Sequence, residues 1–162
     1  KNDKMKRLRF YGMDKTYYAN EDGYNSRLDE IHAAILRTKL KKLNNYIVKR
    51  REIANIYNDN LSNTELILPK EFSYNRHAYY VYVVRHKNRD MIMKKLKEKN
   101  IFLNISYPWP IHIMDAYKDL GYKEGDFPIT EKCASEIFSL PMYPDLSREK
   151  QDYVINELKK II

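Results

Sequence analysis

The sequence predicts an α/β protein in which a long helical arm leads into a small α/β domain. Two observations carry this. From Tyr24 to Leu68 the chain has neither glycine nor proline, and apolar residues such as Leu28, Ile31, Ile35, Ala54, Tyr57 and Leu61 recur at helical spacing. Beyond Pro69, a run rich in Val and Tyr, an amphipathic run and the apolar run IFLNI follow one another. That order is strand, helix and strand, the unit that builds an α/β layer.

Residues 1–23 have no clear period, and RLRFYGM, Arg7–Met13, reads as a helix end or as a strand followed by a turn at Gly12. Ser26 followed by Asp29 resembles a capping box, with Asp in place of Glu or Gln, and is expected to start the arm. The Asn44–Asn45 pair is a candidate bend, so one bent helix or two helices run from about Ser26 to about Leu61. Tyr79–Arg85 is β-branched and aromatic, hence a strand. Asn88 caps the next helix, with Met91, Ile92 and Leu96 facing inward, and Ile101–Ile105 is the second strand. His112–Tyr122 forms a short helix closed at Gly121. Ile129–Leu140 forms another, leading into an extended Ser139–Pro141. Ser147 caps a last helix that buries Val154, Leu158 and Ile161 or Ile162. The chain thus divides into 1–23, 24–62 and 63–162. A long helix with one apolar stripe needs a surface to lie on, which implies a further domain, a partner subunit or both.

At 43% apolar and 32% charged, the composition is that of a globular protein with a real core. No apolar run approaches the ~20 residues of a membrane span, and the N-terminal KNDKMKRLRF lacks the apolar stretch of a signal peptide. The lone Cys133 forms no internal disulfide and suits a cytoplasmic protein, where it reads as a small core thiol. A net charge of +8 permits an anionic partner. The Lys-rich KLKKLNNYIVKRRE would be the footprint of a nucleic-acid-binding module, but interleaved acids make solvated helix faces the simpler account. Neither nucleic acid nor membrane is the expected partner.

The glycines, at 12, 23, 121 and 125, form no phosphate-binding Gly-rich loop. His32, His77, His86 and His112 have no metal-ligand spacing with one another or with Cys133, so no metal site is expected. Two stretches remain. In GYNSRLDEIHAAIL, Asn25 precedes a helix start, where it caps or turns the chain. Arg27 opposes the helix dipole unless it faces an anion. In NISYPWPIH, Asn104–His112, prolines restrict the backbone on both sides of Trp109. Such a loop is either a wall for a flat ligand or a hydrophobic plug under the next helix.

GYNSRLDEIHAAIL, KRREIANIYNDNL, HAYYVYVV, YPWPIH and AYKDLGYKEGDFPITEKCASEIFSLPMYPDLS resemble, in that order, the C-terminal half of the DegT/DnrJ/StrS sugar aminotransferases. The resemblance implies part of the aspartate aminotransferase fold (fold type I). It also implies a pyridoxal 5'-phosphate enzyme that moves an amino group, commonly from glutamate, to a nucleotide-diphosphate-linked keto-sugar. In that family the cofactor-bearing lysine and the acidic partner of the pyridine nitrogen lie upstream of the matched region. On that ground residues 1–23 are what remains of the large cofactor-binding domain. No catalytic residue lies in this stretch, and these residues alone are expected to be inactive. The resemblance further implies a homodimer in which Asn25 reaches the cofactor phosphate of the neighbouring subunit. Arg27, Tyr107 and His112 would meet the substrate. The family often has His where Ser106 stands, which puts any acid–base or stacking role there in doubt. NISYPWPIH is similar to members that aminate C3 of a deoxythymidine-diphosphate keto-sugar; a cyclitol aminotransferase of the same family is the alternative.

Overall fold

The computed structural model describes every residue except Thr16 and Arg27, and only the backbone of Lys15. The described residues form two compact units, Lys1–Leu43 and Asn44–Ile162.

The first unit opens with helix α1 (Asn2–Leu8), followed by a small antiparallel pair, β1 (Met13–Lys15) and β2 (Tyr18–Ala19). Gly12, at φ +73°, takes the turn expected there, and RLRFYGM is a helix end. Helix α2 (Glu30–Leu40) starts three residues later than the Ser26 capping box predicts. Asp29 is itself the N-cap and its side chain makes no capping bond, so the box does not form. No residue of α2 is buried, and Ile31, Ile35, Leu36 and Leu40 are exposed.

Helix α3 (Leu43–Leu61) is separate from α2. The interruption falls at Lys41–Lys42, not at Asn44–Asn45, which sit in the first turn of α3. Asparagine is tolerated at a helix start because its side chain can serve unpaired backbone donors there. The inward face of α3 is Ile53, Ala54, Tyr57 and Leu61.

The second unit is built on β3 (Tyr82–Arg85) and β4 (Ile137–Leu140), paired antiparallel. The register sets Tyr82 opposite Leu140 and Val84 opposite Phe138, and all four are buried. Pairing like with like across the strands puts one face into the core. Single antiparallel bridges extend the layer outward, Ile67 beside Arg85 and Asn104 beside Ser139. Helices α4 (Arg89–Glu98), α5 (Pro128–Glu136) and α6 (Arg148–Lys159) complete the unit, and Ile92, Leu96, Val154, Ile155 and Leu158 join its core. Gln151, 1% exposed, donates from Nε2 to the Ile53 carbonyl at 2.8 Å and ties α6 to α3. Ser147 caps α6 as expected, its hydroxyl accepting from the Lys150 N–H.

Several expected elements are shorter. The strand predicted from Tyr79 begins at Tyr82, because Tyr79 stands at φ +45° with its N–H given to His77 Nδ1. Arg50 Nη1 takes the carbonyls of Tyr79 and Tyr80 at 3.3 and 2.6 Å, so these residues leave the ladder while Tyr79 stays buried. IFLNI is not a strand: Ser139 N–H donates to the Asn104 carbonyl at 2.8 Å, and the apolar composition reports the burial of Ile101 instead. The helix predicted through Leu140 ends at Glu136, and IFSL is the central strand β4. His112–Tyr122 resolves into 3-10 turns, Ile111–Ile113 and Asp115–Leu120, the second closed by Gly121 at φ +78°. Asn88 holds the N-cap place of α4 without a side-chain bond, and Met91 is exposed rather than inward.

Candidate functional site

Asn25 lies in the first unit, on a chain crossing held by its backbone. Phe10 and Asn25 form an antiparallel bridge. Around it, Tyr11 N–H reaches the Tyr24 carbonyl at 3.0 Å, Tyr24 N–H the Leu8 carbonyl at 2.6 Å, and Ser26 N–H the Arg9 carbonyl at 2.9 Å. Gly12 and Gly23 allow this close approach: a Cβ on Gly12 would stand 1.7 Å from the Glu21 carbonyl oxygen. Asn25 is exposed, and its side-chain amide has no hydrogen-bond partner among the described residues. Arg27 lies outside the described residues.

Tyr107 and His112 belong to the second unit. The loop Ser106–Ile111 forms one wall of a cleft of about 480 Å³, and α5 forms the other through Ile129, Thr130, Cys133 and Ala134. Tyr107 and Trp109 are 78% and 68% exposed, so the loop offers aromatic faces rather than plugging the core. Ser106 lines the same cleft, and Cys133 is half-buried at its α5 side.

His112 is not among the cleft-lining residues. It is buried behind the loop, its ring edge-on to Phe127 at 4.8 Å between centroids, with Nε2 2.8 Å from Glu131 Oε1. The Glu131 carboxylate also accepts the Gly125 N–H at 2.9 Å and the Phe127 N–H at 3.3 Å. Burial pushes this carboxyl up, but His112 and those backbone donors outweigh it and hold it below the usual carboxylate range. Glu131 was invisible as a site residue in the sequence, because an acid in the first turn of a helix is already accounted for by the helix dipole. His77 and His86 each accept a backbone N–H two residues on. Among the described residues, no group of His, Cys, Asp and Glu is arranged to hold a metal, and no helix is long and apolar enough to cross a membrane.

Residues 1–159 match the model of the DegT/DnrJ/EryC1/StrS aminotransferase family. The chain belongs to this family. It is 48% identical, over 98% of its length, to the dTDP-3-amino-3,4,6-trideoxy-alpha-D-glucose transaminase of Micromonospora megalomicea subsp. nigra, and spans 44% of that protein. It is 38% identical, over 98% of its length, to the dTDP-3-amino-3,6-dideoxy-alpha-D-galactopyranose transaminase of Aneurinibacillus thermoaerophilus, spanning 43% of it. The crystal structure of S. venezuelae DesV in complex with a ketimine intermediate superposes with a TM-score of 0.94 at 31% identity, covering 98% of this chain and 43% of DesV. The chain therefore spans less than half the length of these relatives. Its fold is that of the C-terminal part of a fold type I aminotransferase.

Proposed function

We propose that these residues supply the C-terminal portion of a pyridoxal 5'-phosphate-dependent aminotransferase acting on a nucleotide-diphosphate-linked keto-sugar, with glutamate as amino donor. The observation that carries the proposal is the match to the dTDP-amino-sugar transaminase, at 48% identity along 98% of the chain. It also favours a deoxythymidine-diphosphate substrate aminated at C3; a cytoplasmic pathway that makes sugars for polysaccharides or other glycoconjugates is the setting proposed for it.

The residues fit such a role. An exposed amide without an internal partner, on a backbone locked by close glycines, suits a phosphate oxygen. Asn25 is accordingly assigned to the cofactor phosphate of a neighbouring subunit in a homodimer, and Arg27 to the substrate phosphate or sugar. Tyr107 and Trp109 give the cleft flat faces against which a sugar ring can pack. His112 contributes by fixing the loop from behind. The cofactor, when bound, supplies the electron sink for amino transfer. Residues 1–23 are assigned to the edge of the large cofactor-binding domain, 24–62 to the connecting helices and 63–162 to the small domain. The 162 residues alone are proposed to be inactive, since the lysine that carries the cofactor belongs to the N-terminal half of such enzymes.

The test is glutamate-dependent amination of dTDP- and UDP-linked 3-keto-sugars by the full-length protein, beside the 162-residue chain. Turnover by the full-length protein alone, with the absorbance of bound pyridoxal phosphate, is expected. Absence of both from the full-length protein overturns the proposal.

A further inference from the structure

The cleft has two walls, the Ser106–Ile111 loop and helix α5, and Glu131 joins them from behind. It sits on α5 one turn from its start, next to Thr130 and two residues before Cys133, both of which line the cleft. Its Oε1 holds His112 Nε2 at 2.8 Å, and His112 lies two residues beyond Pro110 in the loop wall. The same carboxylate gathers the Gly125 and Phe127 N–H groups, and Phe127 in turn packs against both His112 and Tyr122. Gly125 reaches this position at φ +94°, a conformation that side chains resist. One side chain therefore fixes the loop wall, the 122–127 turn and the helix wall relative to one another. His112 is 9% exposed and the Glu131 side chain 20%, so the link is sheltered from water and stronger than a surface pair.

We infer that Glu131 is a positioning residue for sugar-nucleotide binding: through His112 it sets the spacing between the aromatic loop and α5. This rests on the proposed function of the cleft. Glu131 touches neither substrate nor cofactor in this account. Its removal leaves Tyr107 and Trp109 in place chemically but no longer held at a fixed distance from α5.

The variant Glu131→Gln, made in the full-length protein, tests this, because it keeps the size of the side chain and removes its charge. The Michaelis constant for the nucleotide-linked keto-sugar should rise about tenfold, the scale of losing a charge-assisted hydrogen bond. The amino-donor half-reaction and kcat should stay within about twofold. Cys133 labelling by a thiol reagent, followed on its own peptide by mass spectrometry, should accelerate as the cleft loosens. An unchanged Michaelis constant and labelling rate overturns the inference. So does an equal loss in both half-reactions with a lowered melting temperature, which marks a general structural role. Should Glu131→Gln not fold, His112→Ala reads the same link from the other side, with the same outcomes. If the wild-type protein aminates no nucleotide-linked keto-sugar, the proposed function falls, and the labelling ratio alone decides whether Glu131 sets the cleft.

Discussion

A Cβ on Gly23 would stand 2.0 Å from the backbone nitrogen of Gly12. The two glycines thus mark a crossing of backbones that no side chain can enter, and Asn25 lies two residues beyond it. Gly23→Ala should force the two backbone segments apart and lower stability by about 3 kcal/mol. Gly121→Ala is the control: it has φ +78° but nothing within 4 Å of a new Cβ, so it should cost only about 1 kcal/mol. Denaturant unfolding of the full-length variants measures both. Equal costs would mean that the close approach is not what selects glycine at position 23.

Arg51 grips Glu71 with both terminal nitrogens, at 2.6 and 2.9 Å, and His77 N–H adds a bond at 2.6 Å. The Arg51 hydrogen bond first, then the His77 N–H, lower the Glu71 carboxyl from 4.5 to about 2. The folded value lies below the unfolded one, so the contribution is complete above about pH 4.5 and is lost as pH falls towards about 2. Glu71→Gln should flatten this acid limb of the stability profile and leave the neutral-to-alkaline shape unchanged. An acid limb identical to wild type would show that another carboxylate sets it.

Tyr57 and Tyr82 make the opposite case. Their rings are 4.9 Å apart in the core, with Tyr57 Oη donating to the Pro141 carbonyl at 3.0 Å and Tyr82 Oη to Asn58 Oδ1 at 2.6 Å. Burial first, then neighbouring phenols, push both above the ordinary value of 10.0. The protonated form is favoured on folding, so this contribution is complete below about pH 10 and disappears as pH rises through the folded values. Phenolate absorbance should show these tyrosines silent until alkaline unfolding begins. Tyr57→Phe should cost about 1–2 kcal/mol, since it strands the Pro141 carbonyl. A cost near zero would mean that water replaces the hydroxyl.

The helical part of this fold was legible because its signals are local. Ala54, Tyr57 and Leu61 recur at helical spacing and are buried, and Ser147 caps α6 within three residues. The sheet is less visible in the sequence. Tyr79 and Ile101 have strand-like composition because they are buried, and burial alone does not say whether a ladder forms. IFSL looked like the end of a helix because its pairing partner, β3, lies more than fifty residues earlier. The loop at Trp109 was visible as a rigid aromatic segment, while Glu131 was not, since its partners are brought to it only by the tertiary fold. The start of α2 is hidden for a related reason: the Ser26 N–H, which a capping box would give to Asp29, goes to the Arg9 carbonyl, a partner that only the fold supplies.

Trp109 separates binding from stability most cleanly. It lines the cleft yet is 68% exposed, so little of its surface supports the core. Trp109→Ala should therefore change unfolding free energy by no more than about 0.5 kcal/mol. With the cleft holding the sugar as proposed, the same change in the full-length protein should raise the Michaelis constant for the nucleotide-linked sugar about tenfold, since an aromatic face of the cleft is lost. Trp109→Phe, which keeps a smaller face, should fall between. Steady-state kinetics with the sugar varied at saturating amino donor, beside urea unfolding of each variant, give the comparison. A tryptophan whose loss destabilised the protein without changing the Michaelis constant would be a packing residue, and the sugar would then have to lie elsewhere.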